Sequence, residues 1–136
     1  MLSLSARPDL RAVAIEGMLG YSADKTSGPA FFKANPSLLT AVIGVTADQH
    51  NIINSSENAW LTLTNLAAFD EFTMPLLAEG IVYKAVDSIL DKKCKYPDVV
   101  CMMLGNLTRS ERASAQLAAM VHGDDEKEVQ YFEWHC

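Results

Sequence analysis

Few residues in this chain are spaced for covalent chemistry. His50, His122 and His135 lie far apart, and six residues separate Cys94 from Cys101, which fits no common zinc site. His135 and Cys136, at the last two positions, are expected to be too mobile to hold a fixed geometry. The carboxylates Asp70 and Glu71 read as acids at the start of a helix, where they complement its dipole. No nucleophile elbow, phosphate-binding loop, HExxH pair or dinucleotide fingerprint occurs. Neither catalysis nor a metal or cofactor is therefore expected. What remains is hydrogen bonding by amides. Asn65 and Asn106 hold the same place in two copies of one pattern, and an amide presented once per repeat can grip the backbone of an extended peptide. The same residues can instead satisfy a backbone group between neighbouring helices, a common task for a polar residue inside an apolar stripe. With Arg109, at the end of the second copy, they form the candidate protein-binding set.

The elements that must position these residues are two copies of one helix. The stretch 59–68, AWLTLTNLAA, recurs as 100–109, VCMMLGNLTR, and a weaker third copy falls on 18–22, MLGYS. Met18, Leu63 and Leu104 then align, as do Tyr21, Leu66 and Leu107, at separations of 45 and 41 residues. Such periods lie in or near the range of armadillo and HEAT units, whose helices stack into a solenoid. Gly20 stands where the other copies have Asn, so a ladder of amides is incomplete. The expected fold is an all-α, armadillo-like superhelix of about three repeats over 1–123, followed by an acidic tail over 124–136.

Composition agrees. With 136 residues, 49% of them apolar, the chain suffices for one domain whose core is shared between stacked units. Abundant Ala, Leu and Met against five Phe and a modest stock of β-branched residues favour helix over strand. The opening MLSLSARPDL lacks a basic n-region and an apolar h-region, and no run of about 18 apolar residues occurs. A soluble, unsecreted protein is expected, cytoplasmic with the nucleus as a second compartment, and with no membrane partner. Three cysteines, Cys94, Cys101 and Cys136, argue by odd number and irregular spacing for reduced thiols. The sequons at Asn54 and Asn106 are then accidental.

The net charge is −6, and Asp124, Asp125, Glu126, Glu128 and Glu133 against Lys127 place most of it in the tail. A nearly neutral body without an arginine-rich face makes nucleic acid an unexpected partner. The basic group Lys92, Lys93 and Lys95 sits where a helix should end, and cations there complement the dipole.

In chain order, Pro8 and Asp9 open a helix over 8–22, with Leu10, Val13, Ala14, Met18 and Tyr21 at helical spacing. After the break at 23–28, one short turn over 30–33 precedes Asn35, an expected N-cap, and a helix reaching about residue 48. Ser55 or Ser56 caps the first core helix, whose face carries Trp60, Leu63, Leu66 and Ala67. A short helix starts at Thr73 with Pro75 in its first turn, and Gly80 ends it. Ile81, Val82, Ala85, Ile89 and Leu90 stripe the next helix, which ends at Lys92 or Lys93. Val99, Met102, Met103, Asn106 and Leu107 mark the second core helix, and Ala113, Leu117 and Met120 the last one, ended by Gly123.

Four stretches, ARPDLRAVAIEGMLGYS, NPSLLTAVIGVTAD, NAWLTLTNLAA with MPLLAEG, and CMMLGNLTR, together resemble the N-terminal part of the HGH family of armadillo-like proteins over about residues 5–120. That resemblance implies a cytosolic scaffold that holds translation elongation factor 2 during its folding and works beside cytosolic chaperones. A generic armadillo or HEAT adaptor is the other reading. Two departures stand out: family members continue through further repeats, and the stretch DDEKEVQYFEWHC does not align to them. Armadillo importins place Trp four positions before such an Asn; here Leu61 and Met102 hold those positions, so that grip is disfavoured and Trp60 reads as core. Met102, Met103 and Met120 suit either core filling or an adaptable binding patch. Val129, Tyr131, Phe132 and Trp134 among the tail acids offer apolar cover for the flank of the 113–120 helix. Either the tail folds back there or two chains pair weakly through that flank, with a solvated tail as the alternative.

Overall fold

In the computed structural model, which describes residues 7–47, 54–91 and 94–122, every regular element is a helix. The described residues fall into two compact units, divided in sequence between Leu66 and Ala67. No helix among them is long and apolar enough to cross a membrane.

The first unit starts with α1 (Pro8–Ala23), where proline at the first helical position loses no intrahelical bond and Asp9 sits in the first turn. Its inward side is Arg11, Ala12, Ile15 and Ser22. α2 (Ser27–Ala34) packs on α1 and has two turns rather than the single one expected. Asp24 explains the extra turn: its Oδ1 accepts the N–H groups of Thr26 and Ser27 at 2.8 and 3.0 Å, which fixes the chain entering α2. Gly28 is needed there, because a Cβ at that position would lie 2.5 Å from the Tyr21 carbonyl oxygen.

Asn35 is not the expected N-cap of the next helix. Its Nδ2 donates back to the Phe31 carbonyl at 2.9 Å and so closes α2, while α3 (Ser37–Val45) starts after Pro36. An asparagine between two short helices can serve either neighbour, and here the unsatisfied carbonyl at the end of α2 takes it. α3 buries Leu39, Val42, Ile43 and Val45 and also packs on α1. Asn54, at a left-handed φ of 58°, precedes α4 (Ser55–Ala67). Ser56 is buried and its hydroxyl donates to the Thr46 carbonyl at 2.7 Å, which ties the start of α4 to the end of α3.

α4 buries Ala59, Trp60, Leu63, Leu66 and Ala67, and with them Thr62 and Thr64. Buried hydroxyls are costly unless bonded, and both threonines donate to the carbonyl four residues back, of Asn58 and Trp60, at 2.8 Å.

In the second unit a 3-10 turn (Asp70–Phe72) leads into α5 (Thr73–Ala78), so the start at Thr73 with Pro75 in the first turn is observed. Gly80, at φ 71°, ends α5 in the left-handed region that glycine tolerates. α6 (Ile81–Leu90) turns Ile81, Val82, Ala85, Val86 and Ile89 inward and packs on α5, on α7 (Pro97–Leu107) and on α8 (Glu111–His122). Each of these Ile and Val side chains, when fully buried, contributes about 1.5–3 kcal/mol.

Leu63 and Leu104 are buried, as are Leu66 and Leu107, so the two stronger copies share a core register. The weak copy departs from it: Met18 is half-buried and Tyr21 is 50% exposed. Cys94 is a free thiol near the Ser88 hydroxyl. His50, Lys92, Lys93, Gly123 and the acidic tail 124–136, with the capping and self-association expected of it, lie outside the described residues.

Candidate protein-binding site

Asn65 is half-buried on α4, and its Nδ2 donates to the Ser22 hydroxyl at 3.1 Å. Ser22 is itself buried and donates to the Leu19 carbonyl at 2.8 Å. The amide thus joins α4 to the last turns of α1, satisfying a buried hydroxyl and fixing its own rotamer.

Asn106 and Arg109 stand together in the second unit. Arg109 is exposed, and its Nε donates to the Asn106 carbonyl at 3.0 Å while Nη2 donates to the Ala68 carbonyl at 2.5 Å. Both acceptors are carbonyls at or just beyond helix ends, which have no intrahelical partner, so one guanidinium caps α7 and the chain leaving α4. Asp70 approaches at 4.0 Å, and both side chains are more than half exposed. A contact that exposed and long contributes little beside the two carbonyl bonds. Arg112, on the first turn of α8, reaches the Met74 sulfur at 3.6 Å.

Trp60 is 2% exposed, as expected of a core residue. The methionines divide: Met103 is fully buried, Met120 half-buried, and Met102 is 58% exposed. Sequence reasoning left those two uses open because neighbouring positions on a helix differ by about 100° in direction.

A further feature was missed in the sequence. An open depression of about 320 Å³ in the first unit is lined by Gly17, Gly20, Tyr21, Asp24 and Ser27. The Tyr21 ring stacks on Phe31 at 4.4 Å and 10°, and Phe31 meets Phe32 edge-on. The Asp24 carboxyl is held below the ordinary carboxylate range by the Ser27 and then the Thr26 backbone N–H. The signal available was an acid two and three residues before Thr26 and Ser27, after an aromatic one turn upstream. Among the described residues no three His, Cys, Asp or Glu side chains gather to hold a metal ion.

Comparison with known proteins places these features in context. The HGH1 homolog of Danio rerio is 28% identical over 112 residues, covering 82% of this chain. The HGH1 homolog of Drosophila pseudoobscura pseudoobscura is 34% identical over 113 residues, covering 77% of it. The chain is similar to the HGH1 proteins. The resemblance read from its four stretches, to the N-terminal part of that family, therefore stands. It spans about three tenths of the length of these HGH1 relatives, 29% of one and 30% of the other. No family model matches the chain, and no solved structure matches it significantly.

Proposed function

We propose that this chain is part of an armadillo-like solenoid that binds an incompletely folded protein client, translation elongation factor 2, and assists its folding beside cytosolic chaperones. The similarity to HGH1 homologs over about four fifths of the chain carries the reading. Two further observations support it. Every regular element among the described residues is a helix, and Leu63, Leu66, Leu104 and Leu107 bury the same register in two copies of one helix, as stacked repeats require.

Such a scaffold acts by binding, with no chemical step and no cofactor, in the cytoplasm, with the nucleus as a second compartment. Asn65, Asn106 and Arg109 are the residues assigned to client contact, Arg109 by its exposed and already oriented guanidinium. Nucleic acid and membrane are not assigned as partners. A generic armadillo or HEAT adaptor is the second reading.

The purified chain should bind urea-unfolded elongation factor 2 during its dilution into buffer and raise the yield of folded factor. Equal binding to unrelated unfolded proteins favours the adaptor reading, and no binding to any of them overturns both.

A further inference from the structure

Leu10, Val13 and Tyr21 of α1 are 40%, 55% and 50% exposed, and the exposed Gly17 and Gly20 lie between them at helical spacing. The side of α1 opposite Ala12 and Ile15 therefore carries an apolar line to solvent, ending in the depression formed by Gly17, Gly20, Tyr21, Asp24 and Ser27. The chemistry of that end is specific. A Cβ at Gly17 or Gly20 would meet nothing within 4 Å, so the floor is backbone. One wall is the Tyr21 ring, held by its stack on Phe31. The end wall is Asp24, exposed, whose Oδ1 accepts the Thr26 and Ser27 N–H groups and whose carboxylate supplies the negative charge that a cation needs. Glu16, exposed one turn before Gly20, adds negative charge to the rim, while Lys25 is the exposed cation next in the chain.

A backbone floor, an aromatic wall and a carboxylate at the far end match a long side chain with a cationic head. The volume, about 320 Å³, admits one such side chain. The apolar line beyond it calls for more than a free amine. We propose that this groove takes a lysine or arginine from a segment of a partner protein, its stem over Gly17 and Gly20 against Tyr21 and its head at Asp24. Apolar residues beside it lie on Val13 and Leu10. The proposal rests on the protein-binding reading above and names the chemistry of one contact.

The test is a pair of short acetylated peptides, valine–lysine–valine at the centre of one and valine–norleucine–valine of the other, titrated into the ¹⁵N-labelled chain. The Thr26 and Ser27 amides report on Asp24 directly, because their N–H groups are bonded to it. The lysine peptide should shift those two amides with Gly17 and Gly20, and bind about fivefold more tightly than the norleucine peptide. Asp24→Asn keeps an oxygen for the turn and should erase the preference. Gly20→Leu, whose side chain enters open space, should weaken both peptides without lowering the melting temperature. Equal binding of the two peptides, a preference that survives Asp24→Asn, or shifts elsewhere on the chain overturns the proposal. So does a solution mass that doubles with concentration while the groove amides shift without peptide, since the occupant is then a second copy. Elongation factor 2 bound equally by wild type and Gly20→Leu removes the groove and leaves the scaffold reading intact. Peptide binding at the groove without binding of that factor does the reverse.

Discussion

At Asp24 one carboxylate oxygen receives two backbone N–H groups, and the group's acidity follows from that. Its pKa in the folded chain lies below the ordinary value, with the Ser27 N–H the larger cause and the Thr26 N–H the second. A depressed folded pKa stabilises the fold fully above the ordinary aspartate value of about 3.9, and that contribution is lost as pH falls from there through the folded value. The α1–α2 turn should accordingly loosen in that acid window, read as loss of the Thr26 and Ser27 amide shifts; shifts that stay constant there contradict the assignment. At Trp60 the issue is volume. Its ring is 2% exposed, so Trp60→Ala should cost about 3–5 kcal/mol. Thermal melting by circular dichroism checks this, and a variant that melts with the wild type removes Trp60 from the core.

At the scale of elements, two helical glycines separate backbone conformation from packing. Gly105 lies exposed on α7 with nothing within 4 Å of an added Cβ, so Gly105→Ala should stabilise by about 0.5–1 kcal/mol through helix propensity alone. Gly28→Ala meets the Tyr21 carbonyl and must push α1 and α2 apart, so it should lower the melting temperature although it makes the same change in propensity. Equal effects at both sites would deny the close approach of α1 and α2. The same contrast explains what could be read beforehand. α6 was legible because its apolar positions repeat every three or four residues, and α5 because Pro75 and Gly80 allow few other starts and stops. α2 was misjudged because its length depends on Asp24 reaching forward to Thr26 and Ser27, outside any periodic stripe. Asn35 was misassigned because a single asparagine cannot announce which of two helix ends it will satisfy. Tyr21 aligned with Leu66 and Leu107 yet is exposed, since its ring found Phe31 instead of the helix stripe it was aligned with.

For the whole molecule, composition and helical periodicity carried the all-helical class, and the four resembling stretches carried the family likeness. Neither could show how the candidate side chains are held, because Asn65 owes its partner to Ser22, 43 residues away, and Arg109 owes one of its own to Ala68, 41 residues away. Those partners now set the expectation for the combined variant Asn65→Ala, Asn106→Ala and Arg109→Ala. Removing the Asn65 amide takes one donor from a buried hydroxyl that still donates to Leu19, a loss of about 1 kcal/mol. Arg109 is exposed, so the carbonyls it leaves can turn to water at little cost. The triple variant should therefore keep its helicity and most of its melting temperature. Its affinity for unfolded elongation factor 2 should fall about tenfold, equivalent to ~1.4 kcal/mol. Helicity lost together with binding would make the three residues structural ties between helices. Helicity and binding both kept would move client contact to other surfaces, with the exposed Met102 and the α1 groove next to be tested.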